Sequence, residues 1–349
     1  MSKLSQFVRK SPWWTGIGVG VLGSLLLYGA ITLMGWVTLH PSRAQRANHG
    51  FGLLLISVSY LMITPLVTGF ASVSTYLQLE RPELVRTSRC YTIPVMTLLI
   101  QALILLAVAW EGIICVVMIA PIVLVMSLIG AAIARGLTKR RKLQSSTTLP
   151  VLVLPLLFVL FEAQIPSPFE IRTVNTEILI HAPVQTVWAN IASVPRIAPE
   201  ELPGSWVQKI GFPLPIEATL SHPGVGGIRQ ASFTGNLTFT ETVNQWELNK
   251  DLRFSIRANT DSIPPTTLDE HLVIGGQFFD VLDGEYSLEP RPDGVMLHLT
   301  SRERLSTHVN PYAGVWTDAV MRAIQKQILV VIRNRCEARP AVSEAPSLP

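Results

Sequence analysis

Arg229 and Glu241 are the residues whose types and spacing most invite chemistry. Arg229 follows a glycine-rich turn (Gly224, Gly226, Gly227), and Glu241 lies two residues beyond Phe239 in the next alternating run. Turned inward, a guanidinium and a carboxylate on neighbouring strands would orient the polar head of a ligand. Turned outward, they form a cross-strand surface pair that contributes little. His298 alternates with Leu297 and Leu299 and so faces either solvent or a pocket wall. Asp269-Glu270-His271 has metal-ligand chemistry, but adjacent residues of a strand point to opposite faces, so a loop trio and no metal site are expected. Glu111 interrupts an apolar run, either as an intramembrane functional carboxylate or as a solvated turn residue. Cys90, Cys115 and Cys336 have no evident partners and suggest neither disulfide nor zinc. Asn236-Leu237-Thr238 matches a glycosylation sequon, a pattern too short to weigh. No GxSxG, HExxH, P-loop or CxxC occurs, so no catalytic residue and no cofactor can be named.

The elements that must position these residues occupy the second half of the chain. Strands are expected at 175–182, 216–221, 227–233, 238–246, 252–258, 278–289 and 295–304, with a short helix after Pro183. Alternation is clean in Leu252/Phe254/Ile256 and in Val295/Leu297/Leu299. A long helix closes the series from Asn310 to Glu337. Tyr312, Trp316, Val320, Ile324, Ile328 and Ile332 recur every four residues as an apolar stripe. At 1.5 Å rise it spans roughly 40 Å, enough to cross a sheet. This order predicts an α+β unit, a curved antiparallel sheet gripping the last helix. The loop with Pro264-Pro265 has the length of a lid, and the tail from Ala338 is expected to be disordered.

The first half is of another kind. The 349 residues are 48% hydrophobic with mean hydropathy +0.38, and most of that excess lies before residue 163. Ser11–Leu39, Phe51–Gln78 and Tyr91–Ala134 are long apolar runs, the last long enough for two helices and a turn. The first reads as a retained span rather than a signal peptide. Its Gly18, Gly20 and Gly23 spell GxGxxG, but no strand precedes them; Gly16, Gly20 and Ser24 suit close helix approach instead. Leu149–Phe161 is a shorter apolar run read as a fifth span. Eleven basic residues fall on one side of these segments and three on the other, which predicts a cytoplasmic N-terminus and a C-terminal unit on the opposite side. The net charge of +4 is spread between apolar runs, not in a nucleic-acid-like patch. The expected organisation is a multi-pass membrane region (1–163), a linker (164–171) that holds the next unit close to the bilayer, a folded unit (172–337) and a tail (338–349).

Strand one running into ILIHAPVQTVWANI, the GVGGIR turn and the long final helix resemble the START-like superfamily, the helix-grip fold of polyketide cyclases and lipid-transfer domains. GVGGIRQASFTGNLTFTETVNQW, GEYSL and PYAGVW resemble an uncharacterised bacterial branch of it, with Ala231-Ser232 where a cysteine is usual. The resemblance implies a hydrophobic or amphipathic ligand, a lipid, held between sheet and helix. On that basis the expected ligand wall is Arg229, Phe233, Glu241, Phe254, Phe278, Tyr286, His298, Trp316, Val320 and Ile324, in a protein of the bacterial inner membrane. An enzyme using the same cavity would need an acid or base such as His298 or Glu285 turned into it. A domain that docks a protein partner would have a closed core and no ligand.

Overall fold

The computed structural model describes residues 11–38, 57–108, 111–139, 151–259, 274–276 and 278–338. The chain forms two compact units, the first running to Pro168 and also taking in Thr307–Val309, the second beginning at Phe169. The Asp269-Glu270-His271 trio, most of the Pro264-Pro265 loop and the tail from residue 339 lie outside the described residues.

The first unit contains α1 (Pro12–Thr38), a π-turn (Ser59–Ile63) leading into α2 (Thr64–Leu79), α3 (Thr87–Ala107), α4 (Ile113–Lys139) and α5 (Leu154–Glu162). Four helices, over Pro12–Leu33, Ser59–Leu79, Thr87–Ala107 and Ile113–Thr138, are long and apolar enough to cross a membrane. Small residues set their approach. A Cβ on Gly16 would lie 2.8 Å from the Ser72 carbonyl oxygen, and one on Gly20 would meet Thr97 at 2.7 Å. Of the glycines in the GxGxxG match only Gly20 makes such an approach, and Gly18 meets nothing within 4 Å. Outward positions are apolar, with Leu26 73% and Leu103 66% exposed, the inverse of a water-facing helix. The described part of the expected fifth span is α5, whose nine residues rise only about 13 Å. Glu111 sits in the turn before α4 as expected, but it is buried rather than solvated, and the Tyr28 hydroxyl donates to it at 3.1 Å. Glu162 is also buried and accepts the backbone N–H groups of Val58 and Ser59 at 2.7 and 2.9 Å.

The second unit is a seven-stranded antiparallel sheet of order β1-β7-β6-β5-β4-β3-β2. Its strands are β1 (Phe169–Ile180), β2 (Pro215–Leu220), β3 (Ile228–Phe233), β4 (Thr238–Glu247), β5 (Asp251–Asn259), β6 (Phe279–Arg291) and β7 (Gly294–Ser306). Strands β2 to β7 form a meander, and β1 returns to pair with β7 from Phe169↔Ser306 to Ile180↔Val295. That pairing begins inside the stretch expected to be linker. The first residues of β1 do alternate, but with Phe169 and Ile171 outward, 71% and 46% exposed, and Arg172 paired with Asp318 of the last helix. Gly294, at φ +151°, turns the β6–β7 hairpin, and a Cβ there would strike the Ile180 carbonyl oxygen at 2.2 Å.

Short helices α6 (Val184–Ala192) and α7 (Trp206–Lys209) precede the long α8 (Asn310–Glu337). The 28 residues of α8 lie against β1, β7 and α6, and the curled sheet around it is the helix-grip arrangement. Leu329, Ile332 and Cys336 share a core with Ile180, Val187, Trp188, Leu252 and Leu297. The stripe is not wholly apolar. Gln325 is buried within it, donating to the Val174 carbonyl (3.2 Å) and Ser301 Oγ (2.9 Å) and accepting from Thr176 Oγ1 (2.7 Å). A polar side chain survives there because its hydrogen-bonding groups are matched.

Candidate functional site

The glycine-rich turn before β3 places Arg229 directly opposite Glu241 on β4, and Glu241 opposite Ile256 on β5. Both charged residues are on the buried face: Arg229 is 3% and Glu241 7% exposed. Arg229 Nη1 donates to Glu241 Oε2 at 2.5 Å. The guanidinium carbon lies 5.3 Å from the centroid of Phe254 and 5.8 Å from that of Tyr286, distances at which ring quadrupoles attract a cation. Room for this stack comes from Gly284, opposite Phe254 on β6, where a Cβ would sit 2.8 Å from the Phe254 ring. The outward, solvent-facing alternative for the Arg229–Glu241 pair is thereby ruled out.

Burial pulls the two members of the pair in opposite senses. It works against the Arg229 cation, but Glu241 and Tyr286 outweigh it and hold its pKa above the usual arginine value. Burial also raises the Glu241 carboxyl above its ordinary range, and Arg229 offsets this only in part. A guanidinium stays protonated in proteins, so any titration of the pair falls on Glu241. Burial likewise raises the Tyr286 hydroxyl. Arg229 Nε is buried with no hydrogen-bond partner among the described residues. The site thus combines a fixed cation, aromatic walls and an unmet donor.

The other expected wall residues divide. Phe254 and Tyr286 pack together at 6.1 Å in the cluster with Arg229. Val320 and Phe278 are buried, and Ile324 is partly buried. Phe233 packs edge-on against Phe239 at 5.4 Å, in a neighbouring core with Ala231 and Val331. Trp316 is partly buried and stands 6.3 Å from Trp206 on α7, so its ring neighbour is that helix rather than an aromatic of the sheet. His298 must be removed from the wall. Leu297 and Leu299 take the core face of β7, which leaves His298 on the outer face between Glu177 (3.2 Å) and Glu289 (3.5 Å). Glu285 is also on the outer face, paired with Arg253 at 2.6 Å. Among the described residues no group of His, Cys, Asp and Glu could hold a metal ion.

A buried carboxylate of the sheet also escaped the sequence reading. Val295, Leu297, Leu299, Ser301, Glu303 and Leu305 are all buried on β7, so Glu303 continues the core face by the same period of two. Following that alternation beyond Leu299 would have found it.

No family model matches the chain, and no curated protein matches it. Solved structures do resemble it. An uncharacterized protein from Rhizobium leguminosarum shares 13% identity over 48% of this chain and 97% of its own, at TM-score 0.30. Truncated norcoclaurine synthase from Thalictrum flavum shares 11%, over 51% and 99%, at 0.31. The Aha1 dimer from Colwellia psychrerythraea shares 14%, over 48% and 97%, at 0.28. Likenesses of this size decide nothing about activity, and the helix-grip assignment rests on the strand order and the seat of α8.

Proposed function

We propose that this chain is a membrane-anchored binding module that holds an amphipathic ligand, a lipid, between the sheet and α8. The observation that carries the reading is Arg229, buried on the sheet's inner face, stacked on Phe254 and Tyr286, with Nε unmatched. Ligand sites are mostly apolar with a few placed polar groups, and an unmet buried donor costs stability unless something accepts from it. The four long apolar helices supply the anchor. The basic-residue bias favours a cytoplasmic N-terminus, and taking 149–161 as a fifth crossing puts the sheet unit on the other side. Reporter fusions after Lys142 and after Glu337 should then report opposite compartments; the same compartment for both would remove that crossing.

The residues expected to serve an enzyme, His298 and Glu285, lie on the outer face, so binding is favoured over turnover. Native mass spectrometry of the detergent-purified full chain should find a co-purifying lipid, lost on Arg229→Met substitution. A ligand-free protein that also ignores a fluorescent fatty acid would overturn the reading and leave a core that docks a partner protein.

A further inference from the structure

Glu303 is fully buried, and both carboxylate oxygens lack a hydrogen-bond partner among the described residues. On one side it faces Arg172 of β1, on the other Val281 of β6. Arg172 is already engaged, donating to Asp318 of α8 through Nε (2.9 Å) and Nη2 (2.8 Å) and to Glu170 through Nη1 (2.6 Å). Gly314 admits that guanidinium, since a Cβ there would lie 2.6 Å from it. Thr317, on the next turn, donates its hydroxyl proton to the Gly314 carbonyl at 3.2 Å. Arg172 is therefore directed elsewhere, and the Thr317 hydroxyl, although near enough to lower the Glu303 pKa, points to Gly314, so an acceptor-rich group is left facing the sheet–helix interior. A buried polar group in that condition is costly and calls for an explanation.

The register relates it to Arg229. The row of strands runs from β3, where Arg229 lies opposite Glu241 of β4, to β7, where Glu303 lies between Val281 of β6 and Arg172 of β1. Four strand spacings separate Arg229 from Glu303, about 19 Å measured along the sheet. One end of the row presents a donor without an acceptor, the other an acceptor without a donor.

We propose that Glu303 is a second polar subsite between the sheet and α8, taking an O–H or N–H donor, a hydroxyl or a protonated amine, of an amphipathic ligand. This rests on the binding reading above. Burial pushes the Glu303 carboxyl up to about 7, Asp318 adding to the rise while Thr317 and Arg172 oppose it. Of its charged neighbours, Asp318 is held below the usual range by Arg172, and Arg172 above the arginine value by Asp318. Neither changes charge near neutrality, so Glu303 gains its charge there.

The test uses the full chain in lipid nanodiscs and displacement of a fluorescent fatty acid by dodecylamine, dodecanol and methyl laurate. Partitioning into the bilayer is common to parent and variants and cancels in the comparison. Glu303→Gln should weaken dodecylamine about tenfold, with the parent's preference for the amine greater at pH 8 than at pH 6. Glu303→Met should weaken both amine and alcohol. Neither should alter methyl laurate, which has no donor. Amine and alcohol indifferent to both substitutions would overturn the subsite alone, as would an equal loss for the ester. No displacement by any probe, with no binding of the fatty acid itself, would overturn the binding reading with it.

Discussion

Arg229 and Glu241 meet across β3 and β4 with Nη1 2.5 Å from Oε2, and neither side chain reaches solvent. Removing one partner strands the other charge in the interior, whereas replacing both by apolar residues of similar volume removes the problem. Glu241→Ala should therefore cost roughly 3–5 kcal/mol, and the double variant Arg229→Met/Glu241→Leu far less. Thermal melts of the three proteins check this. Equal losses in single and double variants would mean the charges are solvated after all.

Glu303 makes stability depend on pH in the sense opposite to most carboxylates. Its folded pKa, about 7, lies above the ordinary value of 4.5, so the native state binds the proton more tightly than the unfolded chain. That contribution is complete below pH 4.5 and is lost as pH rises through 7, a change of about 3 kcal/mol. Glu303→Gln cannot titrate. Its melting temperature relative to the parent should rise steadily from pH 5 to pH 8, and a constant difference would rule out the raised pKa.

Val320 is buried on α8. If a ligand occupies the space beneath it, Val320→Trp should abolish binding of a fluorescent fatty acid while the melting temperature holds. In a filled core the same change overpacks and costs roughly 1–3 kcal/mol. A marked fall in melting temperature, in a parent that binds no lipid, would make α8 plain core.

In the first unit, a Cβ on Gly69 would stand 2.2 Å from the Ser127 carbonyl oxygen, whereas one on Gly18 meets nothing within 4 Å. Gly69→Ala must push α2 and α4 apart and should cost roughly 1–3 kcal/mol. Gly18→Ala should be neutral or slightly stabilising, since it raises helix propensity. Comparable melts for the two in detergent would show that this helix contact is not close.

Local pattern in the sequence was enough for six strands within a residue or two of their ends and for the length of α8. Periods of two and of 3.6 are written in consecutive side chains, and an apolar run needs no partner to be recognised. The nearness of Arg229 to Glu241 was also legible, because adjacent strands of a meander bring such residues together. Which face they took was not. That depended on β1 crossing from residue 169 to pair with residue 306 and on α8 lying over the inner face, contacts between segments more than a hundred residues apart. The same long-range placement buried Glu303, which keeps the phase of Leu299 and Leu305, and sent outward His298, which is out of phase with Leu297 and Leu299. Alternation tells which residues share a face, but only tertiary packing decides which face is dry.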